Sequence, residues 1–366
     1  SGSFTLLFLK GLKKTNSEKL ILLIIFGLLT SATFSVLLNF FFPINSFISN
    51  IYVASTFLMG LLFIKKFKEI NFLVLIIFTS ILATLVLYKS QNVVDFPVYH
   101  SPFLSILGIE KAIFGLTNLH FRFGHISIVQ NSMALHNISL FYPNNFQSII
   151  PVFFSAFSIF YFIQIQNIKK YKSNNKLYLF NFFIFSYICI KYYRFNDFGN
   201  DLLSNLLVFF IWSKFFEIYE NIKFKPKNHD NEVLILILIY ILCFFNKSSS
   251  ILNFIPILII FLHTQKFDLF IKNFKFFLIM VIIIASFVSK NIISSGCIIY
   301  PASFSCFKKM SWTTNTKDNL SSPKKISIES EAWAKDWPNR TDKNIMNADY
   351  IKKFNWLKTW SNNHLQ

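Results

Sequence analysis

The sequence predicts an all-α, polytopic membrane protein with about nine transmembrane helices, and three observations carry that expectation. Several apolar runs reach the ~20 residues that a helix needs to cross a ~30 Å hydrocarbon core. Lysine-rich stretches alternate along the chain with stretches carrying Asp, His, Arg and Asn. The apolar runs separate the two kinds, so the candidate chemical groups collect on one side of a bilayer. Mean hydropathy is +0.48. The 54% hydrophobic content would not decide alone, since soluble domains reach roughly 45–50%.

The apolar runs fall at 20–42, 48–64, 71–88, 147–166, 177–195, 202–217, 233–246, 250–263 and 276–290. Lys10, Lys13, Lys14 and Lys19 precede the first, and Lys65, Lys66 and Lys68 follow the second. Lys169, Lys170, Lys172 and Lys176 follow the fourth, Lys223, Lys225 and Lys227 the sixth, and Lys266, Lys272 and Lys275 the eighth. Cytoplasmic loops carry the excess of Lys and Arg, and a nine-span count puts all these clusters on one side. The N-terminus is then cytoplasmic and the C-terminus periplasmic, as in a bacterial inner membrane. Residues 1–290 read as a transmembrane domain and 291–366 as a small extracytoplasmic segment containing Trp312, Trp333 and Trp337.

The net charge of +19 is what loops marked by Lys for topology require. No nucleic-acid-binding signature accompanies it, so the expected surroundings are membrane lipid and not nucleic acid. A protein partner or a second copy of the chain is compatible with the pattern. The first large outer loop, 89–146, interleaves Phe103, Leu104, Leu107, Ile113, Phe114 and Leu116 with Glu110, Lys111, Asn118 and His120. That mixture suits helices lying at the interface better than a spanning helix.

Four outer clusters carry candidate chemistry. Asp95 stands in Asn92-Val93-Val94-Asp95-Phe96-Pro97-Val98-Tyr99-His100, just beyond the third run. A carboxylate there can deprotonate an acceptor hydroxyl or ligate a divalent metal, and His100 can share either role. A metal ion is compatible with this pair but not demanded. The alternative is a helix-capping Asp ahead of Pro97 and an interfacial His. Further on, Asn118, His120 and Arg122 lie in Gly115-Leu116-Thr117-Asn118-Leu119-His120-Phe121-Arg122-Phe123-Gly124-His125. A guanidinium beside aromatics at a membrane surface suits a lipid-linked phosphate, since its planar fork donates two parallel hydrogen bonds; an Arg snorkelling to head groups gives the same pattern. Arg194, Asp197 and Asp201 crowd the short turn before the sixth run, where Asp201 also suits a helix N-cap. Lys247 breaks the apolar sequence between the seventh and eighth runs, and Lys290 sits at the outer end of the ninth. Either can contact phosphate. Cys297 and Cys306, both on the predicted outer side, are close enough in sequence for a short-loop disulfide.

These elements together resemble a group of poorly characterised bacterial membrane proteins similar to the GT-C superfamily of integral-membrane glycosyltransferases. The matching positions are Asp95, Tyr99 with His100, Gly115 through Gly124, Asp201, and Gly296 through Pro301. The resemblance implies transfer of a sugar from a polyprenyl-phosphate donor to an extracytoplasmic acceptor. Asp95 would be the catalytic residue, as base or metal ligand, and Arg122 with Lys247 or Lys290 would hold the donor phosphate. Two departures stand out: Asp95 follows the third apolar run instead of the first, and no second acid is close to it. The alternatives are a non-catalytic membrane subunit on a decayed transferase scaffold, or a lipid-linked glycan polymerase or ligase.

Overall fold

The computed structural model describes residues 15–64, 70–88, 96–125, 127–137, 148–166, 175–192, 198–224, 230–264, 269–307, 309–313 and 323–364. Among them the chain is helical, with a lone antiparallel bridge at Cys297 and Cys306. The helices are α1 (Asn16–Asn39), α2 (Ser46–Ile64), α3 (Ile70–Tyr88), α4 (Ser101–Ile109), α5 (Ile128–Leu135), α6 (Ile150–Gln166), α7 (Asn175–Ile190) and α8 (Asp201–Phe224). They continue as α9 (Asp230–Asn246), α10 (Ile255–Thr264), the single turn α11 (Leu269–Lys272), α12 (Phe274–Ser295), α13 (Pro323–Ala334), α14 (Asn347–Tyr350) and α15 (Trp356–His364).

Four stretches are long and apolar enough to cross a membrane: Asn16–Asn39, Ile70–Leu87, Asp201–Glu220 and Phe274–Ser295. Shorter apolar stretches cover Ser46–Leu62, Ile150–Gln166, Lys176–Ile190 and Ser248–Thr264. The last of these opens with tight 3₁₀ turns at Ser248–Phe254 before α10 begins.

The chain divides into two compact units. Unit 1 holds residues 1–111 and 126–287; unit 2 holds 112–125 and 288–366. The tail is therefore joined by residues 112–125, and that stretch carries Asn118, His120 and Arg122.

Unit 1 is built around α1. Thr15 caps it by accepting from the Glu18 amide at 3.4 Å, the Ser/Thr-x-x-Glu pattern that satisfies free N–H groups at a helix start. Ile21, Leu22, Ile25, Phe26, Leu29 and Ala32 are then fully buried, packed on α5 and α6. Beside them Phe157, Phe160, Tyr161 and Phe210 form edge-to-face contacts at 5.1–5.7 Å, the arrangement that aromatic quadrupoles favour.

One ionic cluster interrupts this apolar packing. The Lys214 ammonium on α8 bonds Glu18 at 2.5 Å and Glu217 at 2.6 Å, with the rings of Phe160 and Phe210 about it at 6.0 and 5.8 Å. Glu232 at the start of α9 lines the same small cleft. The start of α1, the C-terminal half of α8 and the start of α9 therefore share one end of unit 1.

Helix α5 is a finding that the amphipathic pattern of 89–146 does not announce. All eight of its residues are buried. Hydroxyls from α1 and α2 meet it: Ser31 bonds Ser132 at 2.6 Å, Ser35 donates to the Asn131 carbonyl at 2.6 Å, and Ser49 donates to the Ala134 carbonyl at 2.9 Å. A buried backbone requires such partners because an unpaired polar group away from water is costly.

Candidate functional site

The end of unit 1 opposite the Lys214 cluster gathers polar side chains. A single π-turn, Phe96–His100, runs directly into α4. Such one-turn insertions re-aim side chains and recur at functional sites. Here the turn buries His100 and sets its Nδ1 3.1 Å from Gln130 Nε2. The same amide nitrogen donates to the Phe198 carbonyl at 3.1 Å, while Gln130 Oε1 accepts from the Ser127 hydroxyl at 2.8 Å. With Gln130 donating, His100 Nδ1 is the acceptor, and the neutral ring carries its proton on Nε2. The rings of Phe96 and Phe198 lie 4.2 Å apart, and Tyr99 stands at 4.2 Å from the His100 ring.

Two residues beyond Phe198 a reciprocal amide pair begins. Asn200 Nδ2 donates to the Asn246 carbonyl at 2.9 Å, and Asn246 Nδ2 donates to the Asn200 carbonyl at 3.0 Å and to Ser204 Oγ at 2.6 Å. Next to it Asp201 and Lys247 form an ion pair of 2.7 Å that is open to solvent on both sides. Asp201 sits in the first turn of α8, where the helix dipole favours a carboxylate. Asn246 Oδ1 is buried and has no hydrogen-bond partner among the described residues, as is Asn131 Oδ1 on α5.

A second cluster belongs to unit 2. His120 Nδ1 accepts from the Arg122 amide at 3.3 Å and so starts the 3₁₀ turn Phe121–Gly124. Burial first, and the Arg122 guanidinium second, hold the His120 pKa below the usual imidazole value. The Arg122 guanidinium lies 5.8 Å over the Phe121 ring. Asn118 is committed to structure: its Nδ2 donates to the Trp312 carbonyl at 3.0 Å. Lys290 projects from the last turns of α12 within the same unit.

Close packing explains why the two motif stretches in this unit carry glycine. Gly115, at φ +68°, and Gly296, at φ +73°, occupy the left-handed region, which costs other residues about 1–2 kcal/mol. A Cβ on Gly115 would also meet Trp312 at 2.9 Å. The Gly115 amide donates to the Ile293 carbonyl at 2.8 Å, Thr117 Oγ1 to Ser294 O at 3.1 Å and Trp312 Nε1 to Ile292 O at 2.9 Å. The disulfide Cys297–Cys306 closes the following loop. Tyr300 is buried beneath it with Cys297 and Ile326, and that burial pushes its phenol pKa up.

The sequence-predicted site residues thus separate. His100, Tyr99, Asp201 and Lys247 belong to unit 1; Asn118, His120, Arg122, Lys290, Cys297 and Cys306 belong to unit 2. Asp95, Arg194 and Asp197 lie outside the described residues. Among the described residues no three His, Cys, Asp or Glu side chains converge as metal ligands would. Sequence reasoning missed Gln130, Asn200 and Asn246. Gln130 had a signal, since Ser127-x-x-Gln130 is a capping pattern ahead of a helix too short to read as a span.

A family profile matches residues 2–366, nearly the whole chain. The chain belongs to the family described as a domain of unknown function, DUF8201. No curated protein and no solved structure matches it.

Proposed function

We propose that this DUF8201 protein is a nine-span inner-membrane glycosyltransferase of GT-C type, moving a sugar from a polyprenyl-phosphate donor to an extracytoplasmic acceptor. The observation that carries the reading is Gln130, which joins the His100 ring to the Phe198 carbonyl two residues before the separate, reciprocal Asn200–Asn246 pair. It joins the first outer loop, a buried helix and the α8 turn beside an exposed carboxylate and ammonium. Amides that donate and accept, with aromatic rings alongside, suit a polyhydroxylated ligand. The alternation of helix directions is compatible with the span order: α1 and α9 begin at the end of unit 1 where α8 finishes, as the first, seventh and sixth of nine spans would.

In this reaction the acceptor hydroxyl attacks the anomeric carbon from the face opposite the phosphate, and its proton passes to Asp95. The bond from that carbon to the phosphate oxygen breaks, and polyprenyl phosphate leaves with the electron pair. Lys247 can turn from Asp201 to the leaving phosphate at small cost, since an exposed ion pair contributes only about 0–1 kcal/mol. Holding two substrates together lowers such a barrier by several kcal/mol, ~7 when alignment is good. A divalent metal at Asp95 and His100 is compatible with the scheme but not part of it.

A second reading, a non-catalytic membrane subunit on the same scaffold, is favoured by Asn118, whose Nδ2 donates to the Trp312 carbonyl and so has a structural role. Transfer of labelled sugar from a panel of polyprenyl-phosphate donors, wild type beside Asp95→Asn and His100→Ala, separates the two. Turnover that the Asp95 variant abolishes while staying folded supports the transferase. No turnover across the panel supports the subunit.

A further inference from the structure

Phe304 is 90% exposed, and it sits in a loop whose shape is fixed. The Cys297–Cys306 disulfide closes the loop. The Ile298 amide donates to Ser305 O at 3.0 Å, the Ile299 amide to Ser305 Oγ at 3.1 Å and the Phe307 amide to Gly296 O at 2.8 Å. Its inner face is already in a core with Cys297, Tyr300 and Ile326, so folding does not need Phe304. Ile298 and Phe307 are exposed with it, at 37% and 41%. A rigid loop that shows a large aromatic to water on one face, after filling its core on the other, is built to meet a second phase.

We infer that this loop is a lipid anchor, inserting Phe304 into the interfacial layer of the bilayer beside the end of α12. The chain itself argues for lipid as the occupant. Helix α12 has 22 residues, about 33 Å at 1.5 Å per residue, against a hydrocarbon core of ~30 Å. Its last turn therefore ends at the membrane surface. The loop starts directly after Ser295 and is tied back to the helix, since Asn291 Nδ2 donates to the Ile298 carbonyl at 3.0 Å. Phe304 cannot swing far from that surface. Lys309, exposed close by, provides the positive charge that interfacial segments place against anionic head groups. Aromatic side chains at this level fix the depth of a membrane protein.

The inference rests on α12 crossing the membrane, and the experiment separates the two. Full-length protein is reconstituted in phosphatidylcholine–phosphatidylglycerol vesicles with bromine placed either near the head groups or deep in the acyl chains. Phe304→Trp reports the loop and Ile282→Trp, on the exposed face of α12, reports the span; each is read as the difference from the parent protein. The anchor predicts loss of the Phe304→Trp emission with shallow bromine, and of the Ile282→Trp emission with deep bromine. Quenching of Ile282→Trp alone overturns the anchor and leaves the span standing. Quenching of neither overturns both.

Discussion

The ring of Tyr300 lies so close to Gly124 that a Cβ at position 124 would sit 2.5 Å from Cδ1 and 2.6 Å from Cε1. Two motifs far apart in the sequence are thus pressed together inside unit 2, and the glycine is what allows it. Gly124→Ala is expected to lower the stability of unit 2 by about 1–3 kcal/mol, the usual cost of overpacking. Thermal unfolding in detergent checks this, and an unchanged midpoint would mean that Tyr300 moves aside freely.

Lys214 bonds two carboxylates at once, that of Glu18 buried and that of Glu217 partly exposed. Lys214→Met leaves Glu18 and Glu217 without it, a change expected to destabilise by about 3–5 kcal/mol. Adding Glu18→Gln in the same chain should restore part of that loss, because one stranded charge is then gone. The double variant, melted beside the single one, reads the coupling directly.

Gln130 and Lys247 should behave oppositely. Gln130→Leu strips the His100 ring and the Phe198 carbonyl of a buried partner, which costs about 1–3 kcal/mol. Lys247→Ala breaks an exposed ion pair and should change stability by less than about 1 kcal/mol. If Lys247 serves the donor phosphate, its substitution lowers transfer with little change in melting. A parallel fall in both would assign it to structure.

His120 gives a pH dependence. Its folded pKa lies below the unfolded value of 6.5, so the unfolded chain takes up the proton first as the solution is acidified. Stability is therefore unaffected well above that value and declines as pH falls through it. Protonation of Nδ1 also removes the acceptor for the Arg122 amide. Arg122→Gln takes away one of the two depressing influences, so His120 should titrate higher and the acid loss of stability should be shallower. Histidine NMR titration of both proteins tests the direction.

Much of the helical layout was legible because long apolar runs and flanking charges are one-dimensional signals. Each run from 20–42 to 276–290 overlaps a helix. The burial of α5 was not legible, since Ile128–Leu135 is short and carries Gln130, Asn131 and Ser132, which read as surface. Its depth depends on hydroxyls from Ser31, Ser35 and Ser49 on other helices. Similarly, nothing in chain order says that residues 112–125 fold with the tail. That grouping comes from Gly115, Gly124 and Gly296, whose missing side chains allow contacts a pattern cannot display. Of the candidate site, His100, Asp201 and Lys247 were visible as polar breaks, whereas the linking Gln130 lay hidden in a stretch assigned to the interface.

The pairing of Glu18 with Lys214 also bears on how the chain is made. Glu18 emerges from the ribosome long before Lys214, so α1 must wait in or beside the insertion machinery without this partner. When α8 arrives, Lys214 meets a ready counter-charge and can stay at depth. A fragment starting after α1 would lack the Glu18 partner of Lys214, and α8 should insert poorly from it.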